Sequence, residues 1–373
     1  MTERGRAHFC AAALAIFILA LSASAALGAT ARTAKTYLTT HAAIGLTIDS
    51  DDRLLYGEKI RGEIVRVEAG KKHVLTRLAV ASNIEPGLVG IATNKKGFVW
   101  ASYTTSQAGC PDPTNGTSTI YVNAICVWRF KPSGDGLKAD KLIFSTGHPT
   151  AWRTHFGGGL DFGPDGALYL GVGDLGDNND PTLGPARAQD VTVPYGKILR
   201  MNPNLTNRGV AGNPKTCGNA DNTARRTVKD DRIFACGLRN PYSFDWDLHG
   251  RMWVADVGDK CDEINLVKPG VNYGWQPPRT DCAGAGAGGP VLKLQRAATP
   301  SGVAVPKSAA AGTARGDLFF GIFRDNLVKR YNIRSKKLST VPGVKGRAGW
   351  SLLAADQYLY MSNGEEISRL KLR

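Results

Sequence analysis

The sequence predicts an all-β fold, a six-bladed β-propeller. Three observations lead there. Past the N-terminal segment, long helical periodicity is scarce, and short apolar runs alternate with turns rich in Gly, Asp, Asn and Pro, the pattern of many short strands. One pattern then recurs six times: an apolar strand, a turn holding Asp or Gly, a second apolar strand, a loop and a third strand. Long insertions at 104–124, 175–194, 205–232 and 276–298 fall at comparable places in their repeats and are expected to gather on one face, where a site belongs. Six small antiparallel sheets packed radially leave only short, protected edges. A two-sheet sandwich would explain neither the recurring turn nor the repeat length.

The repeats follow in order. The first is "IGLTIDSDDRLLYGEKIRGEIVRV", from Ile44. The second is "LVGIATNKKGFVWASYTT", from Leu88, closed after an insertion by "ICVWRFKP". The third is "GGLDFGPDGALYLGVGD", closed by "YGKILRMNP". The fourth is "YSFDWDLHGRMWVADVGDKCDEINLV", from Tyr242, and the fifth "SGVAVPKSAAAGTARGDLFFGIFRDNLVKRYNI", from Ser301. The sixth is "SLLAADQYLYMSNGEEISRLKLR", from Ser351. A single propeller domain is expected over 26–373.

Residues 1–25 have the pattern of a secretory signal. Arg4 and Arg6 are its charged end, 10–21 its apolar stretch, and Ala23-Ser24-Ala25 its small-residue cleavage site. The apolar run is shorter than the ~20 residues a membrane span needs, so stable membrane insertion is not expected, and the mature protein should be periplasmic or secreted. Six cysteines follow: Cys110, Cys126, Cys217, Cys236, Cys261 and Cys282. An even number in an exported chain suggests disulfides. Sequential pairing (110–126, 217–236, 261–282) would staple one local loop per pair. No CxxC pair is present to suggest zinc. Lys and Arg number 47 against 32 Asp and Glu, a formal charge of +15. These bases are scattered, without a nucleic-acid motif, which argues against nucleic acid and leaves some arginines for an anion.

The stretch "THFGGGLDFGPDGALYLGVGD", 154–174, places His155 ahead of three glycines, where the third repeat begins. Polar residues recur at the same point elsewhere: Glu85 in "IEPGLVG", Arg239 and Asn240 in "GLRNPYSF", and Arg347 in "KGRAGW". Propeller geometry makes such blade entries converge. Each residue also has a plainer reading, as a turn or strand-end residue. His249 lies in a turn, His73 in a basic run and His41 near the mature N-terminus, which suits them less to chemistry, while His148, in a loop, stays a weak competitor.

Segment 154–275 resembles the soluble aldose sugar dehydrogenases that use pyrroloquinoline quinone, the glucose/sorbosone dehydrogenase family. The shared stretches are "HFGGGLDFGPDGALYLGVGDLGD", "YGKILRMNP", "GLRNPYSFDWD" and "DEINLVKPGVNYGW", in the family's order. "GLVGIA" and "TPSG…LFFGIFRDNLVKR" extend the similarity more weakly on both sides. The resemblance implies a six-bladed propeller, in agreement with the repeats. It also implies that His155 is the base taking the proton of the sugar's anomeric hydroxyl and that Asp174 orients it; a carboxylate on the second ring nitrogen fixes the tautomer and stabilises the imidazolium. Arg239 and Asn240 match cofactor-binding residues. Glu85 stands where many members have a glutamine beside the substrate. Arg324 stands where the family often has lysine, and Arg347 matches the first of two arginines; guanidinium groups suit a quinone with three carboxylates. Gly258 and Asp259 stand where carbonyls of a Gly-Pro pair hold Ca2+ against the cofactor, and Glu263 and Tyr273 match a second calcium site.

The chain departs from the family in several places. Gly159 and Gly349 replace two arginines, the loop from Gly258 to Glu263 is one residue short, and Cys261 lies inside it. Lys345 and Arg153 are the nearby cations that could compensate. The glycines after His155 are expected to clear room for a flat ring system and a sugar. The expected activity is oxidation of the anomeric C1 hydroxyl of aldoses to lactones, with hydride passing to the quinone and then to an electron acceptor that no motif specifies. A non-catalytic propeller binding a glycan or a protein is the rival reading, favoured by the two lost arginines. A calcium-dependent lactonase would need a cluster of acidic and amide ligands on the axis, which the sequence does not offer.

Overall fold

The computed structural model describes residues 32–82, 85–116, 118, 124–147, 154–176, 183–218, 225–276 and 288–372. Six four-stranded antiparallel sheets follow one another along the chain. The first blade is Ala43–Ile48, Leu54–Glu58, Glu63–Glu68 and Lys71–Arg77. The second is Leu88–Thr93, Val99–Thr105, Ala124–Ser133 and Gly136–Ser145. The third is Leu160–Phe162, Leu168–Val172, Lys197–Met201 and Ile233–Cys236. The fourth is Pro241–Trp246, Met252–Asp256, Asp262–Val267 and Leu292–Leu294. The fifth is Pro300–Ala304, Leu318–Ile322, Leu327–Asn332 and Lys337–Thr340. The sixth is Ser351–Ala355, Tyr358–Ser362 and Glu366–Lys371, completed by Lys35–Thr39 from the other end of the chain. First strands of successive blades touch, and the sixth touches the first, so the ring is closed. This is the expected six-bladed propeller.

Each predicted repeat captured three strands and missed the fourth. The outer strands explain why. Lys71–Arg77 and Lys337–Thr340 are mostly exposed along their whole length, so they lack the alternation of buried and exposed positions that marks a half-buried strand. The recurring turn has a chemical cause. Asp49, Asn94, Asp165 and Asp247 each accept backbone N–H bonds from residues two, or two and four, further on, which closes the hairpin between first and second strands. Apolar side chains fill the six blade interfaces in turn. Trp100, Phe156 and Leu170 pack between blades two and three, for example, and Phe244, Trp246 and Ile198 between three and four.

The insertions are not all at equivalent places. Those at 104–124 and 175–194 join second to third strands, whereas those at 205–232 and 276–298 fall between third and fourth strands or beyond. Excursions of the latter kind leave from the opposite end of the blade. The insertion at 205–232 is tied back to the outer strand of blade three by the Cys217–Cys236 disulfide, and the segment leading into 276–298 by Tyr273 N, which donates to the Cys236 carbonyl at 2.8 Å. The Cys110–Cys126 disulfide also forms as expected. Cys261 is disulfide-bonded too, and Cys282 lies outside the described residues, as do His148 and Arg153.

Candidate active site

In every blade the first strand starts, and the second ends, at the same end of the propeller. Loops of both kinds therefore meet on one face, and there they surround a cavity of about 1210 Å³, measured to its open mouth. Its walls come from all six blades: Lys59, Glu85, His155, Arg239 with Gly258, Arg296, and Trp350.

His155 is held by a chain of hydrogen bonds. Its Nδ1 lies 2.7 Å from Asp174 Oδ1. The other Asp174 oxygen accepts a bond from Trp275 Nε1, also 2.7 Å, and Asp174 is 1% exposed. A buried carboxylate with both oxygens bonded has one orientation, and it points the far ring nitrogen of His155 away from Asp174. The backbone is held as firmly. His155 has a left-handed φ of 58°, a conformation that costs a non-glycine residue of order 1 kcal/mol or more. Glu85 accepts the His155 N–H, and Asn240 Oδ1 accepts the Gly157 N–H at 2.9 Å. Asn240 and Arg239 are themselves fixed by the Asp256 carboxylate through their backbone N–H groups.

Gly157 lines the cavity, and the other glycines around His155 serve close packing. A Cβ at Gly173 would fall on the His155 carbonyl oxygen, and one at Gly176 on the His155 ring. Side chains at Gly158 and Gly159 would meet Val89 and Phe244 of the neighbouring blades. The glycines let the loop after the second strand lie flat against the histidine, and let the blades approach each other.

Arg239 donates from Nη1 to the Val257 carbonyl at 2.9 Å and lies 5.5 Å from the centre of the Trp275 ring. Gly258 and Asp259 line the cavity beside it. Asp262, which sequence reading missed, ties this loop to the entry of blade five: its two oxygens accept the N–H groups of Gly258 and Thr299 at 2.8 and 2.7 Å, and burial pushes its carboxyl pKa up. Glu263 is buried and accepts a bond from Asn265 at 3.0 Å, facing a small adjoining pocket of about 220 Å³ with Asp256 and Asp259. Tyr273 is away from the cavity, with its hydroxyl bonded to the Leu266 carbonyl at 2.8 Å. Among the described residues no three His, Cys, Asp or Glu side chains cluster as a metal site.

Two predicted arginines are not brought to the wall. Arg324 is exposed, pairs with Asp325 at 3.1 Å and donates to the Arg296 carbonyl at 3.2 Å. Arg347 bonds Glu366 and Thr36 at 2.8 Å. Neither lines the cavity, and nor does Lys345. Of the two glycines in arginine positions, Gly349 lines the cavity and Gly159 faces a narrower axial one. Cavity residues that sequence reading missed include Lys59, Arg296 and Trp350. Lys59 is only 6% exposed, its Nζ is 5.4 Å from the centre of the Trp350 ring, and burial lowers its pKa to about 8 against the opposing pull of Glu85.

The glucose/sorbosone dehydrogenase model matches residues 40–357. HIPL1 protein of Arabidopsis thaliana is 36% identical over 150 residues, 36% of this chain and 20% of that protein. Quinoprotein glucose dehydrogenase B of Acinetobacter calcoaceticus is 26% identical over 247 residues, 60% of this chain and 48% of that enzyme. The chain thus spans less than two thirds of these relatives' length. The PQQ-bound aldose sugar dehydrogenase from Streptomyces coelicolor superposes with a TM-score of 0.67 at 25% identity, covering 90% of this chain and 96% of that one. With a family model matched over most of its length, on the propeller that the family's solved members share, the chain belongs to the glucose/sorbosone dehydrogenase family of sugar dehydrogenases.

Proposed function

We propose that the protein is an exported quinoprotein that oxidises the anomeric C1 hydroxyl of aldoses to lactones, using pyrroloquinoline quinone with Ca2+. The observation that carries this reading is the Trp275–Asp174–His155 chain of hydrogen bonds, which ends in a cavity walled by cations and aromatic rings. Residues present there fit the quinone. Arg239, Lys59 and Arg296 offer charge for its three carboxylates, and the Phe323 and Trp350 rings line the same space. Carbonyl and carboxylate oxygens at Gly258 and Asp259 are the hard donors that calcium takes. When bound, the quinone supplies the two-electron acceptor for the C1 hydride.

The protein's own residues do the rest. With the Nδ1 proton held by Asp174, the Nε2 lone pair of His155 is left to take the C1 hydroxyl proton as hydride departs. Positive charge then gathers on the ring, beside the buried carboxylate that stabilises it. Glu85 and Asn240 keep the His155–Gly157 turn in register, and Glu85 lines the same cavity, which supports a place for it beside the sugar. The N-terminal signal pattern and the disulfides support export.

The test is a titration of the purified protein with pyrroloquinoline quinone and calcium, followed by absorbance, and then by dye reduction on addition of aldoses. Saturable binding at micromolar quinone and aldose-dependent dye reduction are expected. No binding under these conditions would favour a non-catalytic propeller that binds a glycan or a protein.

A further inference from the structure

Resting on that reading, we propose that Lys59 is a principal anion-binding residue of the cofactor site, holding a quinone carboxylate across the cavity from Arg239, with Arg296 as a third contact. This assigns the site a cation from blade one, where neither the sequence motifs nor the family's arginine positions place one.

Three observations support it. The first is position. Lys59 follows the second strand of blade one and Arg239 precedes the first strand of blade four. In a ring of six these blades are diametrically opposed, so their cations face each other over the cavity that both line. A flat molecule with carboxylates at both ends of its fused rings needs cations on opposite walls.

The second is that the expected cations are engaged elsewhere. Arg324 and Arg347 are held by Asp325 and Glu366, outside the cavity wall. Among the described residues that line the cavity, the Lys and Arg side chains are Lys59, Arg239 and Arg296.

The third is environment. The Lys59 ammonium is kept in a buried position beside the Trp350 ring, where a contact with a carboxylate is worth more than at the surface. Three carboxylates also line the cavity: Glu85, which accepts the His155 N–H and acts electrostatically on Lys59, Asp262, which accepts two backbone N–H groups, and Asp259, which pairs with Lys260 at 3.6 Å.

The test is binding of pyrroloquinoline quinone, in the presence of calcium chloride, to the full protein, read by quenching of tryptophan fluorescence. Lys59→Met should weaken binding tenfold or more, Lys59→Arg should recover most of the loss, and Arg296→Gln should cost a few fold. Arg61→Gln removes an exposed charge two residues away and should change affinity less than twofold. Thermal melts establish that each variant is folded, and Lys59→Gln replaces the methionine variant if that one is not. If the unaltered protein binds but Lys59→Met binds within twofold of it, the inference fails and the proposed function stands. It fails also if Arg61→Gln weakens binding as much as Lys59→Met, since long-range charge alone would then account for the effect. If the unaltered protein does not bind, the proposed function falls and this inference with it.

Discussion

Replacing Asp174 by asparagine tests the active-site chain most directly. The amide has the shape of the carboxylate but only one acceptor oxygen, while the site presents two donors, Trp275 Nε1 and His155 Nδ1, each 2.7 Å away. If the amide oxygen faces His155, the amide N–H2 abuts the indole N–H, and a buried donor is left unsatisfied at about 1–3 kcal/mol. If the oxygen faces Trp275, the N–H2 group faces Nδ1, and the imidazole must carry its proton on Nε2. That second arrangement satisfies every donor, so it prevails, and it leaves the nitrogen toward the sugar unable to accept a proton. Turnover should fall about 10²–10⁴-fold, the usual worth of a positioned base, equivalent to roughly 3–5 kcal/mol on the barrier. Quinone affinity should change little. The reasoning makes a sharper demand on the double variant. Trp275→Phe removes the competing donor, so Asp174→Asn with Trp275→Phe should be faster than Asp174→Asn alone. The assay is dye-coupled aldose oxidation, with the imidazole tautomer followed by ¹⁵N NMR. An Asp174→Asn enzyme within threefold of the original, or a double variant slower than the single one, would refute the tautomer argument.

Two further outcomes follow from buried lysines. Lys197 is fully buried, and its Nζ donates to the carbonyls of Arg187, Ala188 and Tyr195 at 3.0, 2.9 and 2.6 Å; Lys197→Met should destabilise the protein by about 3 kcal/mol through unsatisfied carbonyls, and a urea midpoint equal to that of the unaltered protein would dismiss this clamp. Lys59 carries its charge below pH 8 and loses it above, and only the charged form attracts a carboxylate, so quinone affinity should be level below pH 8 and fall toward tenfold per unit above it, a decline that Lys59→Arg should abolish; affinity measured between pH 6 and 9.5 decides it.

How much of this was legible depended on what each residue packs against. The three inner strands of each blade bury one or both faces and show it as apolar runs, as in Leu54–Glu58 and Val99–Thr105, which are buried throughout. Fourth strands such as Lys71–Arg77 and Lys337–Thr340 bury little and left no pattern, whereas Ile233–Cys236 is buried but only four residues long. His155, Asp174, Arg239, Asn240 and Glu85 were visible because their turns carry recognisable motifs, and the structure brings all five together. Lys59 was not visible, because "GEKIRGE" reads as a solvated turn; only the ring of blades turns it inward. Trp275 was within a quoted motif, but its indole reaches Asp174 over a separation of 101 residues, and nothing local announces that. Arg324 and Arg347 failed to reach the wall because nearer carboxylates hold them, a competition decided by side-chain geometry.

The strand Lys35–Thr39 completes a sheet whose other three strands lie at the far end of the sequence, and Thr36 bonds Glu366 over 330 residues. Such a contact joins the most widely separated parts of the chain and closes the largest loop the fold contains. Blades one to five can be assembled from neighbouring segments, whereas the sixth cannot be finished until both ends are present together. High contact order of this kind slows folding, and the step it slows is the one that fixes Arg347, whose Thr36 and Glu366 partners come from the two sides of the seam. The same seam sets how the molecule comes apart: the bonds between Lys35–Thr39 and its neighbour strand are where a propeller can open without first breaking a hairpin. Hydrogen exchange should therefore report the earliest sub-global opening there, and the cavity face, built from loops of all six blades, should lose its shape as soon as the ring is no longer shut.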